Sequence, residues 1–102
     1  MKIVRVQYTT TPEYAYTNQQ NIQKVVDELR KINHQGIIYS TYLLPDGKTF
    51  MHFDQFENED AHQFLQSLES FKQFSKGLWA SGLEVEPKLE LLSLVSSTIN
   101  YF

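Results

Sequence analysis

The stretch LLPDGKTFMHFDQFENEDAHQFL, from Leu43 to Leu65, decides the fold of this 102-residue chain. It begins with a turn sequence, continues through an aromatic-rich segment that predicts a β-strand, and ends where a helix is expected to start. Because side chains alternate along a strand, this segment places large residues on both of its faces. One face can pack against helices, so the other needs a different cover.

The turn sequence LPDGK predicts a hairpin between strands Ile37–Leu44 and Lys48–Phe56. A type I turn followed by a bulge at Gly47 would set Leu44 opposite Lys48. In that register the odd-numbered residues of both strands face the helices, and the even-numbered residues lie together on the second face. The even-numbered set is Ile38, Ser40, Tyr42, Leu44, Phe50, His52, Asp54 and Phe56.

The N-terminal part of the chain predicts a strand and a helix. Residues Lys2–Thr9 alternate in the manner of a half-buried strand. TTTPEYAY is interpreted as a loop, and Thr17 with Gln20 has the spacing of a capping box. Apolar side chains then recur on one helical face from Ile22 to Ile32.

The C-terminal half predicts a second helix and a last strand. Asn58 is a suitable N-cap, and the serines at Ser67 and Ser70 are candidate points at which this helix breaks in two. ASGLEVEPK is interpreted as a connector, followed by a strand from Leu89 to about Thr98.

The predicted order is β-α-β-β-α-β, which indicates an α+β, ferredoxin-like domain spanning residues 1–102. Right-handed crossovers place both helices on one face of a four-stranded antiparallel sheet. The other face would then leave an apolar patch larger than monomers usually expose. We therefore expect a second copy of the sheet to cover it, giving a homodimer.

Composition narrows the classes of function. The formal charge of −3 and the isoelectric point near 5.5 give no general attraction to nucleic acid or anionic membranes. The absence of cysteine excludes disulfides, thiolate metal sites and cysteine nucleophiles, and the three histidines are too scattered to predict a metal site. No apolar run approaches the ~20 residues of a membrane helix, so we expect a cytoplasmic protein.

The segment FENEDAHQFLQSLESFKQFSK, from Phe56 to Lys76, resembles the region after the third strand in the antibiotic-biosynthesis-monooxygenase group of dimeric α/β barrels. An aromatic residue closes the strand, acidic residues open the helix, and a break with a phenylalanine precedes a second helical piece. The residues that match are Phe56, Glu57, Glu59, Asp60, Ser70, Phe71 and Phe74.

The resemblance implies a homodimer whose lumen, between the two sheets, holds a small and largely apolar molecule. Some members of the group are oxygenases that act on aromatic substrates without a cofactor, and others degrade haem. The haem-degrading members have tryptophan where this chain has Phe56 and a haem-ligating histidine where it has Ser75. The chain departs from that pattern at both positions, so we expect no cofactor.

His52 and Asp54 are the candidate catalytic residues on the even-numbered face. The unperturbed pKa of histidine lies near neutrality, which suits a general base, and Asp54 could orient the ring or pair with Arg5. Both residues could equally be hydrogen-bonded groups of a dimer interface. The expected ligand-binding lumen adds Arg5, Gln7, Ser40, Tyr42, Phe50 and Phe56.

Three alternative functions remain open from the sequence. Ser40, His52 and Asp54 could form a hydrolytic triad, although no strained nucleophile turn is visible. GKTFMHF resembles the third-strand motif of RNA-recognition domains, but the chain is acidic and Asp54 would face the RNA. A ligand-sensing or stress-type dimeric barrel would need no catalytic chemistry at all.

Overall fold

The computed structural model describes residues 1–102 and confirms the ferredoxin-like architecture. Four antiparallel strands form one sheet in the order β2-β3-β1-β4. None of the helices combines the length and the hydrophobicity needed to span a bilayer. The elements are β1 (Lys2–Thr9), α1 (Pro12–Ile32), β2 (Ile37–Leu43), β3 (Thr49–Phe56), α2 (Glu59–Ser67), α3 (Glu69–Ala80) and β4 (Val85–Leu92).

The N-cap of helix α1 is Thr11, six residues before the predicted cap at Thr17, so the interpretation of TTTPEYAY as a loop is wrong. Thr11 is the N-cap, and its hydroxyl accepts a hydrogen bond from the backbone N–H of Tyr14. Pro12 occupies the first helical position, where its missing N–H has no intrahelical partner to lose. At the other end, Asn33 adopts a left-handed conformation that ends the helix.

The second helical region breaks in two, as the sequence predicted. Asn58 caps α2 by accepting a hydrogen bond from the backbone N–H of Ala61 at 2.9 Å. The break falls at Leu68, between Ser67 and Ser70, where the backbone becomes extended with ψ of 135°.

The last strand lies earlier than predicted, at Val85–Leu92 instead of Leu89–Thr98. The expected connector therefore contributes half of this strand, including Pro87. β4 is an edge strand that pairs with β1 alone, and its register shifts between Gln7 and Thr9, next to Pro87. A proline is compatible with this place because an edge strand tolerates a residue without a backbone donor.

The hairpin turn is one residue longer than predicted, and this changes the register. Leu44 donates its backbone N–H to the carbonyl of Thr49 at 2.8 Å, so that residues 45–48 form the loop. The Asp46 carboxylate accepts the backbone N–H groups of Lys48 at 3.0 Å and of Thr49 at 2.9 Å. These bonds stabilise the longer loop, and Tyr39 consequently pairs with Asp54 instead of Phe53.

The two faces of the sheet have different neighbours. On the helix-covered face, Tyr8, Phe50 and Phe56 join apolar side chains of all three helices in one core. No helix lies on the reverse side, which we call the open face. Its central residues are Arg5, Gln7, Ser40, Tyr42, Met51 and Phe53.

Helices α1 and α3 approach each other closely at Gly77. A Cβ atom at this position would lie 2.6 Å from the Tyr14 hydroxyl oxygen, which is shorter than any van der Waals contact allows. The Tyr14 hydroxyl also accepts a weak hydrogen bond from Asn21 at 3.4 Å. Glycine at residue 77 therefore leaves room for the tyrosine hydroxyl between the helices.

We expect Gly77→Ala to change the free energy of unfolding less favourably in the native chain than in a Tyr14→Phe background. The difference between the two backgrounds should be about 1–2 kcal/mol. Alanine is about 1 kcal/mol more favourable than glycine inside a helix. This gain is available only when the Tyr14 hydroxyl is absent, because the alanine Cβ would otherwise overlap with it. Urea unfolding of the two single variants and the double variant measures this coupling. Equal effects of Gly77→Ala in both backgrounds would contradict the proposed contact.

Candidate functional site

The structure divides the predicted lumen residues between the two faces of the sheet. Phe50, His52, Asp54 and Phe56 lie on the helix-covered face, whereas Arg5, Gln7, Ser40 and Tyr42 lie on the open face. The prediction that all eight share one face is therefore wrong. The cause is the longer hairpin loop, which pairs odd-numbered residues of β2 with even-numbered residues of β3.

Two combinations considered from the sequence are excluded by this arrangement. Ser40 lies opposite Phe53 on the open face, so it cannot form a triad with His52 and Asp54. Arg5 does not pair with Asp54; its guanidinium donates hydrogen bonds of 2.7 Å to the side chains of Glu90 and Gln7. Asp54 also does not face the surface that an RNA-recognition domain would use, although the acidic composition remains an argument against that function.

A cavity of about 160 Å³ lies between the sheet and helix α3. Most of its wall is aromatic or aliphatic, and its polar groups come mainly from the strands. The most exposed lining residue among the large apolar ones is Trp79, at 56%. The lining residues are Val6, Tyr8, His52, Asp54, Phe71, Phe74, Ser75, Leu78, Trp79 and Pro87.

His52 belongs to a buried hydrogen-bonded chain that begins on α1. The amide of Asn18 donates to the Tyr8 hydroxyl oxygen at 2.8 Å, and this hydroxyl lies 2.7 Å from His52 Nε2. The second ring nitrogen, Nδ1, lies 3.1 Å from the hydroxyl of Thr41. With Asn18 donating, the phenol hydrogen is available for Nε2, and Nδ1–H can donate to Thr41. Both nitrogens of His52 thus have partners within the protein.

Burial lowers the pKa of His52 to about 4, because no carboxylate compensates for the loss of water around the charged ring. The imidazole is therefore neutral at pH 7. Its ring packs against Tyr8 and Phe74 with centroid distances of 5.4 Å. A neutral, doubly hydrogen-bonded histidine holds the polar chain in place but has no free nitrogen to offer a ligand.

Asp54 is the polar group in the cavity wall that lacks a full set of partners. The residue is only 7% exposed, and its Oδ1 atom has no hydrogen-bond partner within the chain. Burial raises the pKa of Asp54 to about 7, and a hydrogen bond from the backbone of Ser40 offsets part of the increase. Near neutral pH this carboxyl can therefore either accept or release a proton.

Sequence reasoning missed the helix side of the site. The sequence places Phe71 and Phe74 in the segment that resembles the monooxygenase group, and Tyr8 in the alternating first strand, but predicts none of them as a site residue. Ser75 was noticed solely because it replaces a histidine of the haem-degrading proteins.

Comparisons with solved structures support the architecture over almost the whole chain. The antibiotic biosynthesis monooxygenase structure superposes with a TM-score of 0.78 and 15% identity, covering 94% of this chain and all of the other. PA3566 from Pseudomonas aeruginosa gives a TM-score of 0.77 and 22% identity, covering 93% of this chain and 94% of that protein. Rv0793 from Mycobacterium tuberculosis gives a TM-score of 0.79 and 12% identity, covering 96% of this chain and 98% of that protein.

The chain has the fold of the antibiotic biosynthesis monooxygenases. The resemblance seen in the sequence is thereby confirmed at the level of the fold. No protein-family model matches the sequence, and no curated protein is similar to it.

Asp54 and His52 should act in opposite directions on the pH dependence of stability. The pKa of Asp54 is higher in the folded chain, at about 7 against 3.8, so raising the pH through this interval destabilises the fold. The pKa of His52 is lower, at about 4 against 6.5, so raising the pH through that interval stabilises it.

From pH 5 to pH 8 we expect the two effects, each about 2–2.5 kcal/mol, to nearly cancel in the native chain. Asp54→Asn removes the acidic group, so its free energy of unfolding should rise by about 2 kcal/mol over the same interval. Urea unfolding at both pH values measures the difference. If the free energy of unfolding depended on pH in the same way in the native chain and in Asp54→Asn, the pKa of Asp54 would not be raised by folding.

Proposed function

We propose that this protein binds a small, largely apolar molecule in the cavity between the sheet and helix α3. The observation that carries the proposal is Asp54, a buried carboxyl group whose Oδ1 atom lacks a partner, in a wall of aromatic side chains. Concave apolar sites with few polar groups are typical of small-molecule binding. The lining residues therefore place the expected ligand beneath the helices and not between two sheets.

Ligand binding can stabilise the fold by giving the Asp54 carboxyl group a hydrogen-bond partner that the chain does not supply. A buried polar atom without a hydrogen bond destabilises a protein by about 1–3 kcal/mol. A ligand with a hydrogen-bond donor directed at the Asp54 carboxyl group would pair with it while the apolar part of the ligand contacts Phe71, Phe74 and Leu78. The donor would fix the orientation of the ligand, and the apolar wall would supply most of the buried area.

Cofactor-independent monooxygenation is the finer proposal, and it comes from the likeness to the monooxygenase structures. Such chemistry needs a group that removes a proton from the bound substrate. We assign this role to Asp54 and not to His52, because both ring nitrogens of His52 are already hydrogen-bonded. A ligand-sensing protein of the same fold, without catalysis, would use the same cavity and the same anchoring carboxyl.

We expect Ser75→Phe to abolish binding of single-ring compounds, because the added ring would occupy the cavity from the α3 side. Trp79 is the only tryptophan of the chain and lines the cavity, so its fluorescence reports occupancy. The matched control is Gln73→Phe, on an exposed position of the same helix that does not line the cavity. If the native chain and Ser75→Phe bound toluene with equal affinity, the proposed location of the ligand beside α3 would be contradicted.

We also propose that a second copy of the chain covers the open face. The helices all pack on the other side of the sheet, and the open face presents Tyr42, 56% exposed, beside half-buried Met51 and Phe53. On the edge strand β4, Leu92 lies on the same face opposite Ile3 and is 38% exposed. A two-fold related sheet would remove these groups from water.

Phe53→Arg should weaken this dimer at least tenfold, since about 1.4 kcal/mol corresponds to a factor of ten and burying an unpaired guanidinium costs more. Sedimentation equilibrium over a range of micromolar concentrations measures the dissociation constant. Gln66→Arg, exposed on α2, adds the same charge away from the open face and serves as the control. A native chain that sediments as a monomer would refute the proposed dimer.

A further inference from the structure

We propose that the ligand of the α3 cavity is a small organic cation, a single ring carrying a primary or secondary ammonium group, with Asp54 as its counter-ion. This inference rests on the proposed binding function and specifies its chemical class. Three properties of the cavity lead to it: an acid without a cationic partner, a wall rich in aromatic faces, and a volume suited to one ring.

The cavity contains a carboxyl group and no cation. Besides Asp54, its ionisable side chains are His52 and Tyr8, both hydrogen-bonded to each other and uncharged at pH 7. From β2, Tyr39 faces Asp54 across the strands and is also neutral, because burial raises the pKa of its phenol. β4 contributes Pro87 to the wall.

The basic side chains of the neighbouring elements point elsewhere. Arg5 and Lys88 lie on the open face, on the other side of the sheet from Asp54. Helix α3 carries Glu69, Lys72 and Lys76, but all three are exposed and none lines the cavity. A buried carboxylate is costly unless a cation or several donors pair with it. The protein supplies neither to Asp54 Oδ1, so a charged donor from a ligand would complete the site.

The aromatic lining favours a cation over a neutral donor. Tyr8, Phe71, Phe74 and Trp79 contribute rings to the wall around the carboxyl group. The faces of aromatic rings attract ammonium groups, and the attraction strengthens when water is excluded. A neutral alcohol or amide would satisfy one hydrogen bond of Asp54 but would gain little from these rings.

The volume limits the ligand to about one ring. At about 160 Å³ the cavity is close to the ~150 Å³ of an engineered apolar protein cavity that binds benzene. Exposure of Trp79 at 56% leaves one side of the site near the surface, where a short substituent could extend. Benzylamine therefore matches both the ring and the charged donor of the expected ligand.

Protonation of Asp54 makes the proposal testable by pH. The carboxylate must be ionised to pair with the ammonium group, and burial raises the pKa of Asp54 to about 7. Aliphatic amines resemble lysine, with a pKa of ~10.4, and stay protonated at pH 8. Affinity for benzylamine should therefore rise about tenfold from pH 6 to pH 8 as Asp54 ionises, whereas affinity for an uncharged ring should not rise.

The experiment compares benzylamine, benzyl alcohol and toluene, three ligands with one ring and different polar groups. Titration followed by Trp79 fluorescence and by two-dimensional NMR gives the dissociation constants at pH 6 and pH 8. We expect benzylamine to bind at least tenfold more tightly than toluene at pH 8, which corresponds to one charge-assisted hydrogen bond. Asp54→Asn, nearly identical in shape, should remove this preference and the pH dependence while it keeps toluene affinity within about twofold.

Each alternative result has a distinct meaning. Equal binding of toluene and benzylamine, or tightest binding of benzyl alcohol without a rise at high pH, would overturn the ammonium proposal and leave the binding function standing. No binding of any of the three ligands at millimolar concentration would overturn both proposals. An undiminished benzylamine preference in Asp54→Asn would show that another group recognises the cation.

Discussion

The Asp46 carboxylate and the four-residue turn that it stabilises determine where the functional groups of this protein lie. By accepting two backbone N–H groups, Asp46 holds a loop over residues 45–48 and so fixes the pairing of β2 with β3. Because side chains alternate along a strand, one residue of register moves a whole set from one face to the other. With this loop length, His52 and Asp54 lie beneath the helices, and Ser40 and Tyr42 lie on the open face.

The register separates two tasks that the sequence had placed together. The helix-covered face encloses the cavity with its acid and its aromatic wall, while the open face carries the surface proposed for dimer formation. The cavity is therefore lined by residues of a single chain. Polar groups in the two regions also have different surroundings, since Arg5 is paired with Glu90 on the open face and Asp54 Oδ1 is unpaired in the cavity.

Beside the cavity, a hydrogen-bonded chain from Asn18 through Tyr8 and His52 to Thr41 holds polar side chains from α1 and three strands together. These hydrogen bonds occupy the Tyr8 hydroxyl and both ring nitrogens of His52, and both residues remain neutral, which makes the chain a rigid part of the structure. Asp54 differs because its carboxyl group is buried beside this chain without being joined to it. Among the residues that line the cavity, Asp54 is the one with a buried side-chain atom that lacks a hydrogen-bond partner, so a ligand can add a hydrogen bond there.

The amino-acid sequence by itself determined the order of the elements, the N-cap at Asn58, the break near Ser67 and the presence of an uncovered sheet face. These features depend on local capping chemistry and on periodicity, which neighbouring residues largely decide. Tertiary structure decided the early start of α1 at Pro12, the position of β4 and above all the face on which His52 and Asp54 lie. Hairpin register depends on side-chain bonds within the turn, and the environment of Asp54 depends on α3, which is distant along the chain. Local patterns carry no information about that packing.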